Sequence, residues 1–221
     1  MKILKSFFFI FFSISIFGQN ISEFPKGLGL EIGMGHSEMT WSDQTAWGEF
    51  SLDDFSLSPE IRGFYHFQVM DNIYIHSFIG YQQIKGFGIE PIWIYNLNQK
   101  YTLDRIFVGG NFLYHFSKLN FYTGLGMKVL KITHATLESH SNDPSYPWSL
   151  EKQDLKNTFN EYGLDIGIIA NLEVLNFLFS LEGWFGITNL HKIPDYGSAE
   201  IAPLQLTIKE NHFRFLLGYK L

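Results

Sequence analysis

From Tyr162 to Leu172 the even positions read Tyr162, Leu164, Ile166, Ile168, Ala170 and Leu172, and the odd ones Gly163, Asp165, Gly167, Ile169 and Asn171. A period of two predicts a β-strand with one apolar face. After a polar interruption at 173–176 the alternation resumes, with Phe177, Phe179, Leu181, Phe185 and Ile187 opposed by Ser180, Glu182, Trp184, Gly186 and Thr188. Two alternating runs joined by a short turn predict a hairpin.

The same rhythm recurs along the chain. Residues 27–39 put Leu28, Leu30, Ile32 and Met34 against Gly29, Glu31, Gly33 and Gly35. Residues 55–69 put Ile61, Tyr65, Phe67 and Val69 against Ser58, Glu60, Arg62, Phe64, His66 and Gln68. Further strands are predicted at 73–87, 105–116 and 121–132, and a last one carries Phe213, Phe215, Leu217, Tyr219 and Leu221 outward with His212, Arg214, Gly218 and Lys220 inward. Short turn signals at Asp71-Asn72, 117–120 and 173–176 alternate with long polar stretches at 41–54, 88–101, 134–157 and 191–202, where Pro91 argues against continuous pairing.

About eight antiparallel strands with alternating short and long connections describe a single transmembrane β-barrel, all-β in class. The polar faces bear glycine, serine, asparagine and isolated charges rather than many Lys and Glu, which suits a confined interior better than a water-facing surface. Strands of about ten residues cross a bilayer when tilted. Short turns on the periplasmic side and long external loops would place the protein in the outer membrane of a Gram-negative bacterium with both termini in the periplasm.

The run 181–190, LEGWFGITNL, resembles the penultimate strand of the PorT-like family of small outer-membrane β-barrels; 162–167, YGLDIG, and 215–219, FLLGY, resemble its neighbouring strands. The resemblance implies an outer-membrane barrel and points to an accessory role in an envelope or secretion machine.

Composition narrows the remaining classes. Mean hydropathy near zero hides the membrane, because each apolar residue is averaged with a polar neighbour. The 23 Phe, 11 Tyr, 5 Trp and 20 Gly against 17% charged residues fit aromatic girdles and a crowded interior. A net charge of -6 without a basic cluster gives no footprint for nucleic acid. The absence of cysteine removes disulfides, thiolate metal sites and a lipidated N-terminal Cys. Residues 1–18, with Lys2 and Lys5 before a Phe/Ile-rich run ending at Gly18, read as a secretory signal peptide, leaving 19–221 as one barrel domain.

Candidate chemistry is sparse. Inward charges of both signs, Glu31, Glu60, Asp165 and Glu182 with Arg62, Arg105, Lys128 and Arg214, are expected to pair in a lumen filled by side chains. The alternative is a conducting path through the same residues, which needs a wider barrel. Trp41, Trp47, Trp93, Tyr95, Tyr146 and Trp148 lie in the predicted external loops, either as a binding surface or as interfacial anchors. His36, His134, His140 and His191 with Ser141, Asp143 or Asp195 would be the candidates for an outer-membrane lipid-modifying enzyme, but no GxSxG-like spacing supports them. No HExxH-like ligand pair occurs, and the glycines at 27–33 and 124–126 sit inside strands, so no catalytic, cofactor or metal site is assigned. The predicted role is non-enzymatic: a structural or surface-binding component whose partners are outer-membrane lipid and envelope or secretion proteins. A soluble, secreted, lipocalin-like barrel holding an apolar ligand is the other reading, and it requires the apolar faces to point inward.

Overall fold

The computed structural model describes residues 27–43, 49–52, 57–92, 95–141, 149–154, 156, 159–190 and 206–221. They form ten strands: β1 (Leu28–Asp43), β2 (Glu49–Leu52), β3 (Leu57–Met70), β4 (Ile73–Ile92), β5 (Tyr95–Phe116), β6 (Phe121–Ser141), β7 (Ser149–Asp154), β8 (Tyr162–Val174), β9 (Phe177–Gly186) and β10 (Leu206–Lys220). β1, β3, β4, β5, β6, β8, β9 and β10 pair in that order, all antiparallel, and β10 pairs back onto β1 from Gly29↔Lys220 to Asp43↔Leu206. The ring is therefore a closed eight-stave barrel. β2 pairs with β1 beyond the start of β3, and β7 pairs with β6 beyond the start of β8, so each prolongs a stave that is interrupted in sequence.

One end of the barrel carries the three tight turns. The β8–β9 hairpin turns at Leu175-Asn176, where Leu175 takes the left-handed conformation with φ 58°. The other two turns place Asn72 at φ 61° and Asn120 at φ 46°, a region asparagine enters more readily than most residues. Each turn is tied to the adjoining stave: the carbonyls of Asn72, Asn120 and Asn176 accept the amides of His115, Glu173 and Lys220. Gly27 O and Leu28 O accept His66 N and Leu221 N at the same end.

The alternation resolves into an inside-out molecule. Leu30, Ile32, Met34, Ile79, Phe112, Leu125, Ile168, Leu181, Phe213 and Phe215 are exposed on the outer wall, whereas Glu31, Glu60, Arg62, Asp165, Glu182 and Arg214 are buried inside. This excludes the soluble lipocalin-like reading, in which those two sets would trade places. On the outer faces of β4, β5, β6 and β8 the apolar run lasts about ten residues, the span of a membrane-crossing strand, and then gives way to Gln83, Asp104, Lys131 and Glu161. The polar belt is internally bonded: Tyr81 Oη and Gln83 Nε2 donate to Asp104 Oδ1 at 2.9 and 2.8 Å, and Lys131 Nζ lies 2.8 Å from Glu161 Oε1. Near the turns, ring contacts such as Phe177–Tyr219 at 5.3 Å and Tyr114–Phe116 at 4.9 Å form the opposite girdle.

Beyond the polar belt β4, β5 and β6 continue through stretches the sequence reads as loops. β4 runs through Pro91, which is registered with Asn96 of β5. The proline is accommodated because the β3–β4 register ends at Glu60↔Gln82 among the described residues, so its missing N–H falls on the side without a ladder. Outside hydrocarbon the outer face of a ribbon no longer meets lipid, so the apolar alternation that marks a membrane-crossing strand is no longer required.

Two substitutions separate the walls. A Cβ at Gly183 would meet nothing within 4 Å, whereas one at Gly167 would lie 2.6 Å from Trp184 Cε3. Gly183→Val is expected to leave urea unfolding in lipid vesicles within about 0.5 kcal/mol of the parent, and Gly167→Val to lose about 1–3 kcal/mol through overpacking. Leu125→Arg, on the lipid side, should cost about 2–4 kcal/mol in the same measurement.

Candidate functional site

The interior is a filled polar core because an eight-stave barrel leaves a lumen only one or two side chains wide. Each arginine there meets a partner from a distant stave as well as a nearer one. Arg62 on β3 donates through Nε to Glu31 on β1, and through Nη1 and Nη2 to Glu182 on β9 at 3.0 and 2.6 Å. Its guanidinium also lies 4.5 Å from the Phe78 ring centroid. Glu182 accepts Trp184 Nε1 at 2.8 Å, and Ser180 Oγ donates to Glu31 Oε1 at 3.3 Å.

A second group sits nearer the mouth opposite the turns. Arg214 on β10 reaches Glu60 on β3 and donates to Gln82 Oε1 at 2.8 Å. Arg105 on β5 donates to the same Gln82 Oε1 at 2.7 Å and to Glu210 Oε2 at 2.5 Å. Lys128 on β6 lies 3.3 Å from Asp165 Oδ2 on β8, with its ammonium 4.5 Å from the Trp184 ring centroid. All eight inward charges named from the sequence thus occur buried in one connected cluster. Glu210, which the sequence reading omits, joins them; it shares the parity of His212 and Arg214, and carrying the period of two back by one more step finds it.

The cluster contains a Ser/His/acid set that invites a catalytic reading. Ser37 Oγ lies 2.7 Å from His212 Nδ1, and Glu210 Oε1 lies 3.1 Å from the same nitrogen. Arg105 Nη2, which can only donate, lies 2.8 Å from His212 Nε2. That nitrogen must present its lone pair, so Nδ1 carries the hydrogen and donates to Ser37. The chain then runs from Ser37 Oγ to Ser58 Oγ at 3.2 Å and from Ser58 Oγ to Gly35 O at 3.3 Å. His212 therefore has no basic nitrogen facing the serine, and the set lacks the general base that nucleophile activation requires.

Above this cluster the lumen turns apolar. Ile84, Leu103, Leu130, Ile132, Ala135, Phe159 and Leu190 are buried together. Phe159 and Leu190 come from the segments flanking β8 and β9, held by Asn160 N to Leu190 O at 2.7 Å and Asn160 Nδ2 to Asn189 O at 2.8 Å.

Of the other residues singled out from the sequence, the two whose side chains are described stand apart. His36 on β1 and His134 on β6 are both exposed and four staves apart. His140 and Ser141 fall on the tip of β6, and Trp41 and Tyr95 on β1 and β5 rather than in loops, with no side-chain placement described. Trp47, Trp93, Tyr146, Trp148, Asp143, His191 and Asp195, together with the signal segment 1–18, lie outside the described residues. Among the described residues no group of three or more His, Cys, Asp or Glu is arranged to hold a metal ion.

No family model matches this sequence, and no curated protein does either. Among solved structures, the outer membrane protease OmpT of Escherichia coli is similar, with a TM-score of 0.52 and 11% identity over 92% of this chain and 99% of that one. Ail, the attachment invasion locus protein of Yersinia pestis, in complex with the heparin analogue sucrose octasulfate, gives 0.49 and 10% over 90% and 100%. Neisserial surface protein A gives 0.49 and 9% over 89% and 100%. At these identities the OmpT likeness speaks for the barrel fold alone.

Removing one member of the ion cluster should cost more than removing it whole. Arg62→Ala is expected to lose about 3–5 kcal/mol, because Glu31 and Glu182 are left buried and unanswered. The combined Arg62→Met, Glu31→Gln and Glu182→Gln variant should lose less, as read by urea unfolding in vesicles.

Proposed function

We propose that this protein is a sealed, non-enzymatic barrel of a Gram-negative outer membrane, a rigid mount for the chain that rises beyond the bilayer on the side opposite the tight turns. The observation that carries this reading is the interior itself. Its charges answer one another across the lumen, and the buried layer from Ile84 to Leu190 covers them toward the far mouth. A barrel built to conduct would leave such charges hydrated.

The outer wall supports an integral placement, with lipid as the immediate partner. β4, β5 and β6, of 20, 22 and 21 residues, are about twice the length needed to cross, so roughly 30 Å of paired ribbon extends past the polar belt. Such a platform suits a surface-binding or structural role. The resemblance of 181–190 to PorT-like strands favours one variant of that role, an accessory of an envelope or secretion machine. Tight turns and termini are assigned to the periplasm, and the ribbon to the exterior. The lipid-modifying alternative loses support from the tautomer of His212 and from the separation of His36 and His134.

In planar bilayers the purified barrel is expected to show no steady open steps; sustained conductance would overturn the sealed reading. On gels, detergent-extracted protein should run faster before boiling than after. A C-terminal epitope on intact cells should become accessible to antibody only after the outer membrane is permeabilised, and labelling without permeabilisation would reverse the orientation.

A further inference from the structure

Each tight turn of the barrel puts a large apolar side chain at or beside its tip. Met70 closes β3, Leu119 lies between β5 and β6, and Leu175 lies between β8 and β9. Leu221 follows β10, its amide bonded to Leu28 O at the foot of β1. In the ring order these four occupy every second gap between staves, so they stand at even intervals around one rim. Leu175 is 85% exposed, Leu119 and Leu221 69% and Met70 65%, with Val69 and Val174 exposed beside them. Turns that face water ordinarily rely on Gly, Asn, Asp or Ser, and exposed apolar residues grouped along one edge mark a contact.

Three further observations say what that contact is. Leu175 holds the left-handed conformation at φ 58°, the place that Asn72 and Asn120 fill in the other turns, although Asn176 stands next to it in sequence. Leucine is costlier than asparagine there, so it is the side chain and not the backbone that favours leucine at this tip. The turn backbones are also satisfied from within: Asn72 O, Asn120 O and Asn176 O accept amides of the adjoining staves, Phe116 O accepts Leu119 N at 3.0 Å, and Met70 O accepts Gln68 Nε2 at 3.1 Å. Carbonyls bonded in this way do not depend on bulk water, which is the condition for entering a membrane boundary. Depth agrees as well. From Asp104 in the polar belt to Phe116, β5 descends roughly 30 Å at about 3.3 Å per residue and a tilt of about 40°, which matches the thickness of the hydrocarbon. Leu119 comes after Phe116 and therefore stands at headgroup level, continuous with the lipid-facing wall of Tyr114, Phe116, Phe177 and Tyr219.

We propose that Met70, Leu119, Leu175 and Leu221 are feet set in the phospholipid leaflet on the turn side, holding that rim in the headgroup zone instead of open water. The occupant is lipid because contacts spaced around the whole rim find their complement in a medium that surrounds the barrel. A partner seated on one side would meet one or two of them, and a partner closing the mouth would lie over the inward Lys220–Glu173 ion pair. Exposed Lys118 beside Leu119 suits the same zone, its stem lying along apolar surface while its ammonium reaches phosphate. Feet at this depth fix how far β4, β5 and β6 rise beyond the other leaflet. The inference rests on the bilayer placement proposed above and adds the depth at which the barrel sits.

The chain has no cysteine, so a single introduced thiol reports its own surroundings. Leu119→Cys and Leu175→Cys would carry a nitrobenzoxadiazole dye in phosphatidylcholine nanodiscs, where both membrane faces are open to solutes. His134→Cys, exposed past the polar belt, and Leu125→Cys, on the outer wall, are the references. Quenching by a lipid carrying a nitroxide near its headgroup, relative to quenching by aqueous iodide, is expected to be about threefold or more higher at both tips than at His134→Cys. Met70→Ser, Leu119→Ser and Leu175→Asn combined should raise the urea unfolding constant in phosphatidylcholine vesicles on the order of tenfold or more. For tips in water the combination would be neutral, and Leu175→Asn alone would stabilise by relieving the left-handed leucine. The dye measurement stands even where the combined variant does not fold. Iodide quenching at the tips equal to that at His134→Cys, the outcome for a soluble partner, would overturn the proposal. So would tip quenching that varies with the protein-to-lipid ratio, the mark of a second copy, or an unfolding constant within about twofold of the parent. Lipid quenching at Leu125→Cys without any at the tips sinks this inference alone, whereas its absence at Leu125→Cys too removes the bilayer placement on which it rests.

Discussion

Backbone amides and carbonyls inside hydrocarbon have no water to turn to, and the rest of this molecule follows from that lack. A sheet escapes it only by closing, and β10 closes on β1 over fifteen registered pairs. Closure at eight staves fixes a narrow bore, and the bore leaves inward residues nothing to touch except one another. The glycines at 33, 80, 109 and 167 then read as clearance: a Cβ at any of them would fall within 2.7 Å of a side chain or carbonyl on a neighbouring stave.

Inside that bore the charges act as structure. Arg62 is worth keeping only with Glu31 and Glu182 in place, since a buried guanidinium without a carboxylate costs more than the assembled set returns. Gln82 shows how closely the set is shared, its one carbonyl oxygen accepting from both Arg105 and Arg214. The same sharing constrains chemistry: Arg105 locks the His212 tautomer, and a serine–histidine contact that looks catalytic becomes a link in a donor chain ending at Gly35. The lumen is thus graded, with packed imidazole and phenol rings at the turn end, an ion cluster in the middle and an aliphatic layer at the far mouth.

The bilayer also explains which parts of the chain could be read in one dimension. Between the two girdles every residue is sorted by hydrocarbon on one side and the lumen on the other, so Leu164, Ile166, Phe179 and Phe215 declare their face by parity alone. Past Gln83 and Asp104 that sorting ends. Residues 88–92, 95–101 and 134–141 look like loop because a ribbon outside hydrocarbon needs no apolar outer face, yet they lie in β4, β5 and β6. Pro91 misled for a similar reason: it forbids a ladder on one side only, and that side has none among the described residues.

What the sequence by itself determined was the alternation, hence the strands, their wet and dry faces, and the identity of the eight inward charges, because those follow from neighbours two residues apart. What only the tertiary structure decided was who meets whom. Arg62 and Glu182 stand 120 positions apart, Arg214 and Glu60 154, and Ser37 and His212 175. Parity says that such residues point inward, but depth along the axis and direction across the bore are set by stagger and closure of the whole ring, which no local pattern encodes.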